Sequence, residues 1–499
     1  MTRNTIAKLF DFMGGLNTQS PAMVINNNEA SDLQNINLLP TGGFQKRYGN
    51  STFNATAMDT GAAVQGLGYF RPSISTDYLM AIAGTKVFKS DNFDGTMDDI
   101  TGSVSVTLGK NNVWTHTQMN NLSIFVGGYP DAPIKWSGTG NAAVLGGSPP
   151  SGEFCLMANN RLFIGNTATN PSRIYWSTLG NPEDWSGAGS GSQDVKLNDG
   201  DTLVGAVVTG LDTMLLFKQN SIHLLNINSS PFPLYPLLPD TGAISKNAIV
   251  NVDGIVYFIT PEPRMKATDG TRIITFPESI DNVWDGLNKT RLKYTHGIYN
   301  KRLRQIWWLV SDGSSDQNDL CIIWDLDRKC WLRNPTGYKM NCIVKTGDRT
   351  FYGGAYNGKI YKLDDSAATE DASETVTTIN SFWRSGWMTF INTIENATPN
   401  YANLNFVASS NVDFTYSYGF DFEKDMVSEY ISATGGGRWG IDQWGNFPWG
   451  GGDSNVARFI LMKGSGNYFQ VFIQHNTSGQ QFTFNGIEFG INKNQVKYT

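Results

Sequence analysis

Along most of the chain, short apolar runs alternate with Gly, Asn and Asp turns, at a spacing that an amphipathic helix does not produce. One unit recurs: an apolar strand, a tight turn, then a second strand that often closes on an aromatic residue. The copies occupy residues 78–88, 122–128 with 134–136, 161–165 with 173–176, 214–225, 255–259 with 272–276, 305–310 with 320–325 and 329–332, and 350–354 with 359–363. The last turns on Asn357-Gly358, the signature of a type I′ hairpin. Successive copies lie roughly 40 to 50 residues apart, the length of one four-stranded propeller blade. The pattern predicts an all-β chain whose residues 58–366 close into a β-propeller of about six or seven blades. Wholly apolar strands such as Ile255–Ile259 read as buried on both faces, which favours a propeller over stacked Greek-key sandwiches.

The flanks read differently. Residues 1–57 form an N-terminal arm in which one short helix is expected from near Asn28, with Glu29 and Asp32 at its positive end and Leu33 and Ile36 as its apolar stripe. Beyond a polar stretch at 366–374, six segments (382–390, 401–407, 413–418, 457–462, 468–475 and 481–489) read as strands, several alternating apolar and polar residues. Residues 367–499 are therefore a second β-domain, and with the arm they form a platform, because a ring returns its chain close to where it began.

Composition agrees with strands and turns: 53 glycines, 12% aromatic residues and only 16% charged ones in 499 residues. A net charge of −6 argues against a protein that grips nucleic acid, since that requires clustered Lys and Arg to displace counterions. It still permits a conduit whose wall lets a polyanion slide. No apolar stretch has the length of a signal peptide or a membrane span, so assembly in a cytoplasm is expected. Cys155, Cys321, Cys330 and Cys342 have no CxxC spacing and read as buried free thiols.

Candidate chemistry is thin. The string Gly353 to Ile360 is one residue short of a phosphate-binding loop, but it lacks the hydroxyl after Lys359 and leads into a strand, so it reads as a hairpin turn. Asp91, Asp94, Asp98 and Asp99 fit no calcium-loop spacing, and His116, His223, His296 and His475 have no second ligand at helical spacing. No catalytic, cofactor or metal residue is assigned, although carboxylates from different blades would meet at a ring centre in a glycosidase. The segment 435–452 sets Arg438, Trp439, Trp444 and Trp449 in a glycine-rich loop; these residues, with Arg47 of the arm, are the candidate subunit or tail interface.

Two segments carry a resemblance. Gly14-Gly15-Leu16-Asn17, Pro21, Asn28-Glu29-Ala30, Leu33-Gln34-Asn35-Ile36, Gly42-Gly43 and Lys46-Arg47-Tyr48-Gly49 resemble the opening of phage tail nozzle proteins, also called tail tubular protein B or packaged-DNA stabilisation proteins. Ala158 to Phe163, Asn170 to Ser177, Asn181 to Trp185 and Phe217 to Ile222 are similar to a second part of that family. The resemblance implies a non-enzymatic virion protein: a homohexameric ring of a short tail below the portal and adaptor, with fibres, spikes or a needle nearby. Such a ring holds packaged DNA and conducts it at ejection, with only non-specific contact to DNA in its lumen. The alternatives are a virion propeller that binds or cleaves glycans, and a propeller scaffold unrelated to phages.

Overall fold

The computed structural model describes residues 5–210, 212–228, 231–372, 376–390, 396–408, 411–434 and 454–493. Seven antiparallel sheets follow one another along the chain, six built from four consecutive strands. They begin at Val64–Ser73, Thr115–Met119, Gly152–Ala158, Leu203–Val208, Ile249–Val252, His296–Asn300 and Met340–Lys345. Each of these first strands packs on the first strand of the next sheet, and the seventh returns to the first. The result is a closed seven-bladed β-propeller with those strands around its axis.

Closure is made by the N-terminal arm. Blade seven contributes only Met340–Lys345, Phe351–Ala355 and Ile360–Asp365, and its fourth strand is Gly49–Thr52, paired as Tyr361 with Thr52 and Lys362 with Ser51. Ser51 Oγ donates to Asp365 (2.6 Å), and Asn54 Oδ1 accepts from the Ile360 amide (2.6 Å). A sheet edge otherwise open to solvent is thereby covered. Gly49–Thr52 thus belongs to the ring, although the sequence reading put it in the platform. Glu370–Asp371 and Thr377–Thr378 extend the same sheet.

The middle strands are the most buried: in blade six the second, Gln305–Val310, and the third, Leu320–Asp325, have every residue buried, because blades stack on both of their faces. Between blades one and two, Trp114, Phe125, Trp136, Phe70 and Met80 form one cluster. In blade five the partner of Ile255–Ile259 is Met265–Thr268, a strand hidden in the sequence behind Pro261 and Pro263. The Asn357-Gly358 hairpin forms, but only Gly358 has positive φ, so its turn is not type I′; Asn357 Oδ1 instead accepts from the Lys359 amide (3.2 Å).

The platform is a pair of six-stranded sheets built from both ends of the described chain. One runs Ile36–Leu38, Phe44–Lys46, Thr483–Lys493, Ala397–Ala408, Ser454–Leu461, with Thr5–Leu9 also paired to Thr483–Lys493. The other runs Gly15–Leu16, Glu29–Gln34, Ser381–Ser385, Phe469–His475, Asn411–Phe420, Val427–Thr434. Their shared core is aromatic: Phe12 packs edge-on against Trp383 (4.8 Å) and Phe44 (5.3 Å), and Phe406 against Phe414 (4.9 Å).

The helix expected from Asn28 is a strand, Glu29–Gln34, paired with Ser381–Ser385. The spacing of Ala30, Leu33 and Ile36 imitates a helical stripe, and all three are fully buried. A bulge at Ser31 and the left-handed Asn35 (φ 55°) shift the strand alternation to produce it.

Candidate functional site

The inner strands enclose a channel with two adjoining cavities. The inner one, about 260 Å³, is lined by first-strand residues including Leu67, Trp114, His116, Cys155, His296 and Cys342. The outer one, about 320 Å³, lies where the chain enters blades two to six, and Asn112, Glu153, Gln219, Lys246, Asn247 and Tyr294 are among its walls. Lys246 borders both.

The inner cavity is chemically quiet. His116 Nε2 lies 3.0 Å from Ser123 Oγ, and burial holds its pKa down at about 3. Burial likewise lowers His296 to about 4, and its Nδ1 meets no partner among the described residues. The Cys155 thiol is pushed up to about 12 by burial, against the opposing hydrogen bond from Thr115. Cys342 is also pushed up by burial. At neutral pH these are neutral imidazoles and thiols, whereas a nucleophilic cysteine needs a depressed pKa. All four cysteines are buried and free.

At the outer cavity Lys246 Nζ donates to the Glu153 carbonyl (2.6 Å) and to Glu153 Oε2 (3.1 Å). Burial lowers the Lys246 pKa and Glu153 opposes that. Among the described residues, Glu153 is the one carboxylate on either cavity's walls. Among the described residues, no group of three or more His, Cys, Asp or Glu is placed to hold a metal ion.

The residues singled out in the sequence lie elsewhere. Arg47 is 1% exposed and sits at the junction of platform and ring, so it is not an interface residue. Its guanidinium is bidentate on Asp371 (2.8 and 2.5 Å) and also donates to Asn35 Oδ1 (2.9 Å), the Tyr48 carbonyl (2.9 Å) and the Thr336 carbonyl (2.9 Å). Five N–H groups with five acceptors explain how a charge is tolerated there. Burial opposes the charge, but Asp371 outweighs it and raises the Arg47 pKa. Arg438, Trp439, Trp444 and Trp449 lie outside the described residues. The acidic loop is tied up by lysines: Lys89 pairs with Asp91 (2.6 Å) and Asp98 (3.2 Å), and Lys86 with Asp99 (2.9 Å).

Sequence reasoning missed Lys246, Asn247 and Glu153. They lie at or just before the starts of inner strands, while the repeat was aligned on the apolar second strands. Aligning the copies one strand earlier brings out the polar positions Asn111-Asn112, Glu153, Thr202, Lys246-Asn247 and Lys293-Tyr294.

The strand order defines the class of protein: a seven-bladed β-propeller fused to a two-sheet platform. No protein-family model matches the sequence, and no curated protein matches it. Among solved structures, the chain is similar to the WD40 β-propeller domain of Doa1, at 9% identity and TM-score 0.43 over 64% of this chain and 98% of that one. It is similar to YCF48 from Cyanidioschyzon merolae, at 10% identity and TM-score 0.43 over 64% and 98%. It is also similar to a gluconolactonase from Xanthomonas campestris, at 12% identity and TM-score 0.34 over 67% and 97%. Among the described residues, no helix is long and apolar enough to cross a membrane.

Proposed function

We propose that this chain is a structural subunit of a short phage tail, one of about six copies that close head-to-tail into a nozzle ring around the DNA exit channel. The observation that carries the reading is the open edge of the platform. Val427–Thr434 ends one sheet and Ser454–Leu461 ends the other, and Arg458 bridges them to the Ser432 carbonyl (3.3 Å). Among the described residues no further strand pairs with either edge, and Tyr430 (70%), Phe459 (61%) and Leu461 (70%) are exposed on them. Such an edge is a template for another chain, and monomeric proteins normally blunt it. The Trp-rich segment 435–453 joins these same two strands in sequence. The resemblance of the N-terminal arm to nozzle proteins supports the same reading.

The test is imaging of the virion at subunit resolution. Density for this chain as a ring below the portal is the expected result, and density away from the genome's exit path overturns the proposal. In solution, six copies of a 55.0 kDa chain make a particle of about 330 kDa, although such rings also close only on their docking surface.

The glycan-cleaving alternative requires two carboxylates facing each other across a scissile bond. The channel walls offer one, Glu153, already engaged by Lys246. That weighs toward a building part without chemistry.

A further inference from the structure

We infer that the outer cavity of the propeller channel is a binding site for a saccharide unit carrying a carboxylate. This stands on the cavity alone and is independent of whether the chain forms a ring.

The walls are suited to hydroxyl recognition. Asn112 and Asn247 at the entrances of blades two and five, Asn166 at the end of the second strand of blade three and Gln219 in the turn after the second strand of blade four bring side-chain amides from four blades into one hollow. An amide both donates and accepts, as vicinal sugar hydroxyls do. The side chains of Asn166, Gln219 and Asn247 make no hydrogen bond to the protein among the described residues, so folding does not use them up. Tyr294 and the 72% exposed Tyr129 supply aromatic faces for the C–H side of a pyranose. At about 320 Å³ the cavity has room for one or two sugar rings, at the small end of ligand pockets.

The charges select an acid. In a chain of net charge −6, the walls of this cavity carry two cations, Lys246 and Lys293, with Glu153 as the one carboxylate among its described wall residues. Lys246 uses two of its three N–H groups on Glu153, leaving one for a ligand. Lys293 is exposed and forms no salt bridge among the described residues; its ammonium lies 5.1 Å from the Tyr294 ring. Behind the wall, Arg291 is 7% exposed, lies 4.3 Å from the same ring and donates through Nη1 to Asn111, another wall residue. Its Nε and Nη2 meet no acceptor among the described residues. The two lysines attract a phosphate as well as a carboxylate, and Glu153 repels each in proportion to its charge, so titration with both anions decides between them.

The experiment titrates the full chain with D-glucuronate and N-acetylneuraminate, with glucose and galactose as neutral probes and glucose 6-phosphate as the dianion, by ligand-observed NMR and calorimetry. Millimolar binding of one or both acids is expected, about tenfold tighter than the neutral sugars, as one charge-assisted hydrogen bond provides. Lys293→Ala, at an exposed position outside any salt bridge, is expected to weaken binding about three- to tenfold with an unchanged melting temperature. Lys246→Met is expected to weaken it further; should that variant unfold, Lys293→Ala and Asn247→Ala decide. No binding of either acid overturns the site. So does equal binding of neutral sugars, tighter binding of the phosphate, or affinity unaffected by Lys293→Ala and Asn247→Ala.

Discussion

At the scale of single residues, charge in this protein is mostly structural. Arg47 and Asp371 are both buried, and each depends on the other to satisfy its hydrogen bonds. Arg47→Met leaves the Asp371 carboxylate without its cation and is expected to cost about 3 to 5 kcal/mol in urea unfolding. The double variant Arg47→Met with Asp371→Leu should cost less than the sum of the two single changes, because no unpaired charge remains. Three histidines, half-buried His116 and His296 and buried His475, weaken the fold in acid. Burial holds His116 at about 3, and His296 and His475 at about 4, each below an ordinary 6.5; for His475 nearby Lys46 adds to burial. As pH falls below 6.5 the unfolded chain takes up these protons first, so the stability tied to them declines from about pH 6.5 to about 4 for His296 and His475 and to about 3 for His116. His475 stacks on Phe482 (5.2 Å), and among the described residues neither ring nitrogen has a hydrogen-bond partner. His475→Phe should therefore flatten part of that decline, read as melting temperature against pH. None of this was legible in the sequence: Arg47 stands in a run, Lys46-Arg47-Tyr48-Gly49, that looks like an exposed basic patch, and its acidic partner is 324 residues away.

At the scale of elements, the repeat was legible through its second and third strands and not through its first. Second and third strands are packed on both faces and so stand out as apolar runs. First strands face a wet channel, and Thr115–Met119 and His296–Asn300 are correspondingly mixed in polarity. That hid the cavity residues, which sit at those strands' entrances. The closing strand Gly49–Thr52 was hidden differently: four polar or small residues, Gly, Asn, Ser and Thr, have no pattern of their own. Asn54 anchors it, donating to the Thr56 carbonyl (2.7 Å) and accepting from Ile360. Asn54→Ala should cost about 1 to 3 kcal/mol through the buried Ile360 amide left unpaired. Hydrogen exchange would show it as faster exchange confined to Ile360–Asp365 and its neighbours, with blades two to five unchanged.

For the whole molecule, the all-β class and the propeller follow from periodicity, while the platform's two-sheet pairing rests on contacts between the two ends of the chain that no local pattern encodes. The proposed ring is tested at the platform edge. Phe459→Glu with Leu461→Glu places two charges on exposed positions, so the melting temperature should stay within a few degrees while particles of the assembled mass are lost in mass photometry of the docked complex. Both the ring and the platform are sewn shut by opposite ends of one polypeptide. Gly49–Thr52 must wait, unpaired, through the synthesis of some three hundred further residues before its partner Ile360–Asp365 leaves the ribosome. Thr5–Leu9 waits longer still, for Thr483–Lys493. A translation product cut short after the seventh blade could close its ring but never its platform, so this topology admits only finished copies to any assembly made through the platform.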